Sequence, residues 1–153
     1  MELTMKTEKV LAVYRILGPA KYDKLSDEDK VKVWKIARAM KPIATQFEED
    51  SKDAAEKMKP ADDFNERFQK AQEYERKIKE NADDLPMTPS EYQAFLKDFQ
   101  KFQNVVNKAI KEFADKEVTL NFEKLNEDAF GKLMASNSWT SDQAVELGDI
   151  LCE

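Results

Sequence analysis

Tyr92, Phe95, Phe99, Phe102, Val106, Ala109 and Phe113 follow one another at intervals of 3, 4, 3, 4, 3 and 4. Because an α-helix advances 3.6 residues per turn, this spacing draws one apolar stripe along one side of a single long helix. Four phenylalanines and a tyrosine on one stripe must be buried, either against the rest of the chain or in an oligomeric seam between copies, which heptad spacing also builds. No strand period fits the run. The stripe therefore demands at least one long helix and a second apolar surface to receive it.

Other segments carry matching stripes. Val33, Ala37, Met40, Ala44, Phe47, Ser51, Ala54 and Met58 recur at the same period, inside a helix expected over residues 26–58. Ser26 and the acidic run Asp27-Glu28-Asp29 cap its start. Unbroken, that helix would be about 48 Å long. Pro42 lies in its middle and removes one hydrogen bond, so a kink or two shorter helices are expected there. Pro60 turns the chain into a third helix over 61–81, with Phe64, Phe68, Ala71, Tyr74 or Glu75, and Ile78 inward. Thr88-Pro89-Ser90-Glu91 is a capping box with proline at the first helical position. It opens the striped fourth helix, which runs to about residue 115.

Shorter elements frame these. A first helix is expected from residue 6 or 7 to 17, stopped by Gly18-Pro19. Two more are expected over 126–135 and 141–151, with Trp139 between them closing the end of the core. Met1 to Met5 and Glu117 to Phe122 alternate apolar and polar residues, which is a strand period. A lone strand leaves its hydrogen bonds unmade. The two segments, about residues 2–5 and 117–122, should therefore pair as a small ribbon. The fold class expected is mainly α: an antiparallel bundle of three long helices, with shorter helices and this two-stranded ribbon, in a single domain over 1–153. Three glycines and few β-branched runs point the same way.

Composition limits the chemistry. The chain has no histidine, which removes Ser-His and Cys-His nucleophile pairs, the usual zinc sites and the Glu-x-x-His motif of di-iron bundles. Its glycines form neither phosphate-cradling pattern. Asp27-Glu28-Asp29 lacks the glycine and terminal glutamate of an EF-hand. Glu48-Glu49 and Asp83-Asp84 sit among many other acids and read as solvated surface. Cys152 has no cation beside it in sequence to lower its pKa, and is expected near a frayed terminus. No catalytic, cofactor-binding or metal-binding residue is assigned, and the expectation is a protein that is not an enzyme. A single cysteine and no apolar run long enough to span a bilayer point to a cytoplasmic chain without a membrane partner.

One charge pattern calls for an explanation. Lys30, Lys32, Lys35, Arg38 and Lys41 crowd the N-terminal half of helix two, with no acid between Asp29 and Glu48. Glu48, Glu49, Asp50, Asp53 and Glu56 then crowd its C-terminal half. This order opposes the helix dipole. An antiparallel third helix, setting Glu49 near Lys70 and Lys41 near Ile78, would offset it within the chain. Otherwise these five cations are a partner-binding surface for an acidic protein. A nucleic-acid partner is disfavoured by the net charge of −6, although Trp34 among the lysines could stack on a base.

In order along the chain, Met1-Glu2-Leu3-Thr4, Lys32-Val33-Trp34-Lys35-Ile36-Ala37, Phe47-Glu48-Glu49-Asp50, Glu117-Val118-Thr119-Leu120 and the helix at 125–133 are similar to features of a family of small proteins encoded by tailed bacteriophages and prophages. The molecular function of that family is unknown, and residues 57–84 carry none of its pattern. The resemblance implies a phage or prophage origin, a bacterial host cell and a place in or near the virion. It transfers no catalytic residue. The leading expectation is a non-enzymatic interaction protein that serves phage structure or assembly. The alternative is an inhibitor of a host defence or regulatory protein with an acidic surface that mimics nucleic acid.

Overall fold

The computed structural model describes residues 2–153. Among them are two strands and six helices: β1 (Glu2–Lys6), α1 (Thr7–Leu17), α2 (Asp27–Lys57), α3 (Phe64–Lys79), α4 (Pro89–Asp115), β2 (Glu117–Asn121), α5 (Glu127–Ala135) and α6 (Ser141–Leu151). The protein is mainly helical, with one small antiparallel sheet. Two compact units make up the chain, one of residues 2–49 and 113–153, the other of Asp50–Glu112.

In the first unit the strand periods find each other. β1 pairs with β2 antiparallel, Leu3 opposite Leu120, Thr4 opposite Thr119 and Met5 opposite Val118. The alternation places Leu3, Met5, Val118 and Leu120 on the core side, while the Thr4 and Thr119 hydroxyls meet at 3.1 Å on the exposed side. Thr7 locks the junction, since both its backbone N–H and its hydroxyl donate to the Lys116 carbonyl at 2.8 Å. Beneath the ribbon lies an aliphatic core: Val10, Val13 and Leu17 of α1, Val33, Ile36 and Met40 of α2, and Leu133, Leu147 and Leu151 of α5 and α6. Trp139 is half-buried against this core, its ring 6.4 Å from that of Phe130.

The end of the chain departs from expectation. The backbone around Cys152 is not frayed, because Leu125 donates to the Leu151 carbonyl at 2.7 Å and accepts from the Glu153 N–H at 2.8 Å. That parallel bridge pins the segment, and Cys152 itself is half-buried.

In the second unit α3 and α4 meet through rings. Phe64 lies 4.8 Å from Phe102 and 5.6 Å from Phe95, Phe68 lies 5.6 Å from Phe99, and Tyr74 stacks on Tyr92 at 4.5 Å. Every member of the α4 stripe, from Tyr92 to Phe113, is buried or half-buried within the chain. Arg67 clamps the pair, bonding Asp98 at 3.0 Å with its guanidinium 5.3 Å from the Phe95 ring centre. The capping box at Thr88 forms as expected: the Glu91 N–H donates to Thr88 Oγ1 at 3.1 Å and the Thr88 N–H to Glu91 Oε1 at 3.2 Å.

Two expectations about helices change. α2 continues unbroken through Pro42, which faces solvent, so it is one helix and not two. α3 is shorter than 61–81 and ends at Lys79. Asn81 adopts φ 54°, the Ala82 N–H reaches the Lys77 carbonyl and the Asn81 N–H reaches Ile78, a Schellman stop with asparagine in the left-handed position. Ile78 therefore sits in the last turn and is 48% exposed instead of inward, and Tyr74 is the last inward residue.

Candidate interaction surface on helix α2

The N-terminal half of α2 is set by its own cap and its own stripe. Ser26 Oγ accepts from the Asp29 N–H at 3.2 Å and donates to the Asp29 carboxylate at 3.0 Å, which fixes where the helix begins. Val33, Ile36 and Met40 then turn into the core with at most 2% exposure. Ile36 joins this buried row although the stripe read from sequence ran through Ala37, which is half-buried. With that side fixed, the helical period forces Val31, Trp34, Lys35, Arg38 and Lys41 outward.

Trp34 is 48% exposed and Val31 49% exposed. One turn beyond Trp34, the Arg38 guanidinium lies 5.0 Å from the indole ring centre. The pair presents a flat aromatic surface with a cation held over it, and the guanidinium keeps donors free toward solvent. Lys35, Lys41 and the half-buried Lys30 make no ion pair among the described residues. Lys32 turns the other way, toward the loop after β2, with its Nζ 3.9 Å from Glu123. It lines a shallow hollow with Lys35, Asn121 and Phe122. Lys41 borders a groove of about 390 Å³ between α1 and α2, walled by Leu11, Tyr14, Arg15 and Phe47.

The structure thus separates the five cations that the sequence grouped. Arg38 covers Trp34 on the open face, Lys35 stands between that face and the hollow it lines with Lys32 on the β2 side, and Lys30 and Lys41 border the face on the α1 side. Several charges of α3 pair locally: Lys70 with Glu66 at 3.3 Å, Arg76 with Glu80 at 3.3 Å, and Lys77 with Glu73 at 3.4 Å and Asp84 at 2.8 Å. The Asp84 hydrogen bond raises the Lys77 pKa against an opposing desolvation, and the Lys77 bond lowers that of Asp84. The Tyr92 hydroxyl donates to the Glu75 carboxylate, which with partial burial pushes its pKa up to about 12.

Among the described residues no three acidic, cysteine or histidine side chains converge to hold a metal ion. None of their helices is long and apolar enough to cross a membrane. Sequence reading missed two polar anchors elsewhere in the first unit. Asn137 accepts from the Lys21 N–H at 2.9 Å and donates to the Lys21 and Leu133 carbonyls at 2.8 Å, tying the loop after α1 to the end of α5. Thr140 and Gln143 form a second capping box at the start of α6, whose Thr-x-x-Gln signature was there to be read. Searches against family models, curated proteins and solved structures return no match to this chain.

Proposed function

We propose that this protein is a non-enzymatic interaction module that docks onto another protein through the exposed face of α2, and that it serves a tailed phage or prophage as a structural or assembly accessory factor. One observation carries the docking reading. Trp34 stands half out of the surface with Arg38 over its ring, beside Lys30 and Lys35, which make no ion pair among the described residues. Tryptophan and arginine are the residue types on which protein interfaces most often depend. In this reading the lysines and Arg38 steer an acidic surface toward the helix, and burial of Trp34 and Val31 then holds it. The aromatic surface favours protein over nucleic acid, because Arg38 already covers a ring face that a base would need. The phage setting rests on the ordered resemblance from Met1-Glu2-Leu3-Thr4 to Glu117-Val118-Thr119-Leu120. An antiparallel bundling of α2, α3 and α4 belongs to the same reading, supported by the buried stripe that each helix carries.

The test is capture from phage-infected or prophage-induced cells, comparing the tagged protein with a variant carrying Trp34→Ala and Arg38→Glu. Virion or assembly proteins retained by the first and lost by the second are the expected result. Identical capture by both rejects the face, and host nucleases or regulators as the specific partners turn the reading toward inhibition.

A further inference from the structure

We propose that the partner which docks on α2 does so through one acidic α-helix, seated antiparallel along the outward seam of residues 31–45, with its acids in its first turns and its apolar residues after them. The inference rests on the reading of α2 as the docking face and names the element that docks there.

Within the first unit, α2 carries two lines of residues at helical spacing. Val33, Ile36 and Met40 face the core. On the opposite side Val31, Trp34, Arg38, Lys41 and Thr45 follow one another at intervals of 3, 4, 3 and 4, and all five are exposed. This is the spacing at which one helix packs along another. The seam lies wholly between residues 2 and 49, inside one compact unit. It is straight and about 21 Å long. A surface of that shape is covered from end to end by another rod, and a helix of four turns or more is the rod that proteins supply.

The chemistry of the seam sets that of its occupant. Val31 and Trp34 make its first part apolar, Arg38 and Lys41 make the next part cationic, and the half-buried Lys30 and exposed Lys35 stand on its two flanks. None of these four cations makes an ion pair among the described residues. Acids bound the stretch without entering it: Asp27 precedes Val31, Glu48 follows Thr45, Asp23 shares a hollow with Lys30, and Glu123 faces Lys32 at 3.9 Å. The carboxylates that match Arg38 and Lys41 must therefore come from the partner. An antiparallel helix brings its first turns to Arg38 and Lys41 and its later turns to Trp34 and Val31. Acids first and apolar residues after is the order that its own dipole favours, and a parallel helix would need its acids at the wrong end. Arg38 keeps its place over the Trp34 ring while its outward N–H groups donate to the arriving carboxylates. A strip one helix wide falls at the low end of stable interfaces, on the order of 1,000 Å². The complex is reversible and salt-sensitive.

Fluorescence anisotropy of labelled peptides of about 20 residues, long enough to form a helix, titrated with the full chain tests this. The first peptide carries glutamates in its first half and leucines at intervals of three and four in its second, the next has the same residues in reverse order, and the last has a proline at the centre of the first. The first should bind, and less tightly as salt rises. The reversed peptide should bind about fivefold more weakly, and the proline peptide about tenfold or more. Arg38→Glu and Trp34→Ala should each weaken the first peptide about tenfold or more. Both side chains are exposed, so circular dichroism should show both variants folded. No binding of the first peptide up to about 1 mM, equal binding of any two peptides, tighter binding of a single-stranded oligothymidylate, or indifference to either substitution overturns the antiparallel acidic helix. The docking reading falls by a different result, unchanged capture from cells in the Trp34→Ala, Arg38→Glu variant, so the two can fail separately.

Discussion

The two units bury their apolar surface in different ways. The first has sixteen buried residues in one cluster, nearly all aliphatic, drawn from β2, four helices and the loops beside them. The second has five, and its remaining rings, Phe68, Tyr92, Phe99 and Phe102, are only half-covered. Aromatic pairs gain from tilted and stacked contacts even at an edge, so two helices suffice to make the second unit cohere. Yet partly exposed rings contribute less than full burial does. The first unit should therefore resist opening longer than the second, and stability should vary along the chain.

Mutations can break that contrast or sharpen it. Phe95 is the one fully buried ring of the α4 stripe, at 2% exposure. Phe95→Ala should cost about 4 kcal/mol in denaturant unfolding. In hydrogen exchange, protection should fall in α3 and in α4 around residue 95 while the amides of α1 and α5 keep theirs. Equal loss in both units would show one cooperative body. Leu133→Ala, at a fully buried site of the aliphatic core, should cost about 3 kcal/mol. Here protection should fall in α1, α5 and α6, while α3 and α4, which exchange through the earlier opening of their own unit, keep theirs. Thr88→Ala and Thr140→Ala each remove one capping box, one per unit, at about 1 kcal/mol apiece. The first should loosen the start of α4 and the second the start of α6, read from the exchange of the first-turn amides.

The smallest effect is a pH dependence confined to the second unit. The Tyr92 hydroxyl bonded to Glu75 has its pKa raised from 10.0 to about 12. A raised pKa means that the stabilisation is fully present below the unfolded value and is lost as pH rises through the folded one. Unfolding followed between pH 10 and 12 should show the second unit losing stability that Tyr92→Phe does not lose. A Tyr92→Phe variant with the same alkaline profile as the parent would assign the change elsewhere.

Much of this architecture was legible because its causes are local. The α4 stripe, the Thr88 capping box and the helix from Ser141 to Leu151 are written in intervals of three and four residues, and all appear where the spacing places them. The ribbon was legible for a different reason: two strand periods stood alone, each needing a partner, and the only pairing on offer is the one found. Ile78 was misplaced because it keeps the inward period inside α3, yet in the last turn of that helix it is 48% exposed. The five cations of α2 were read as one group because sequence proximity does not distinguish the open face from the flank. Only the burial of Val33, Ile36 and Met40 sorts Arg38 from Lys32.

By itself, the order of residues determined which segments are helix and strand, where most of them start, and which side of each is apolar, since these depend on neighbours within a turn or two. Tertiary structure alone decided that the chain divides its burial between two units, that Asn137 holds Lys21, that Leu125 pins the segment around Cys152, and that Trp34 is left uncovered. Those outcomes depend on which surfaces, far apart along the chain, exclude water from one another. No local interval carries that information.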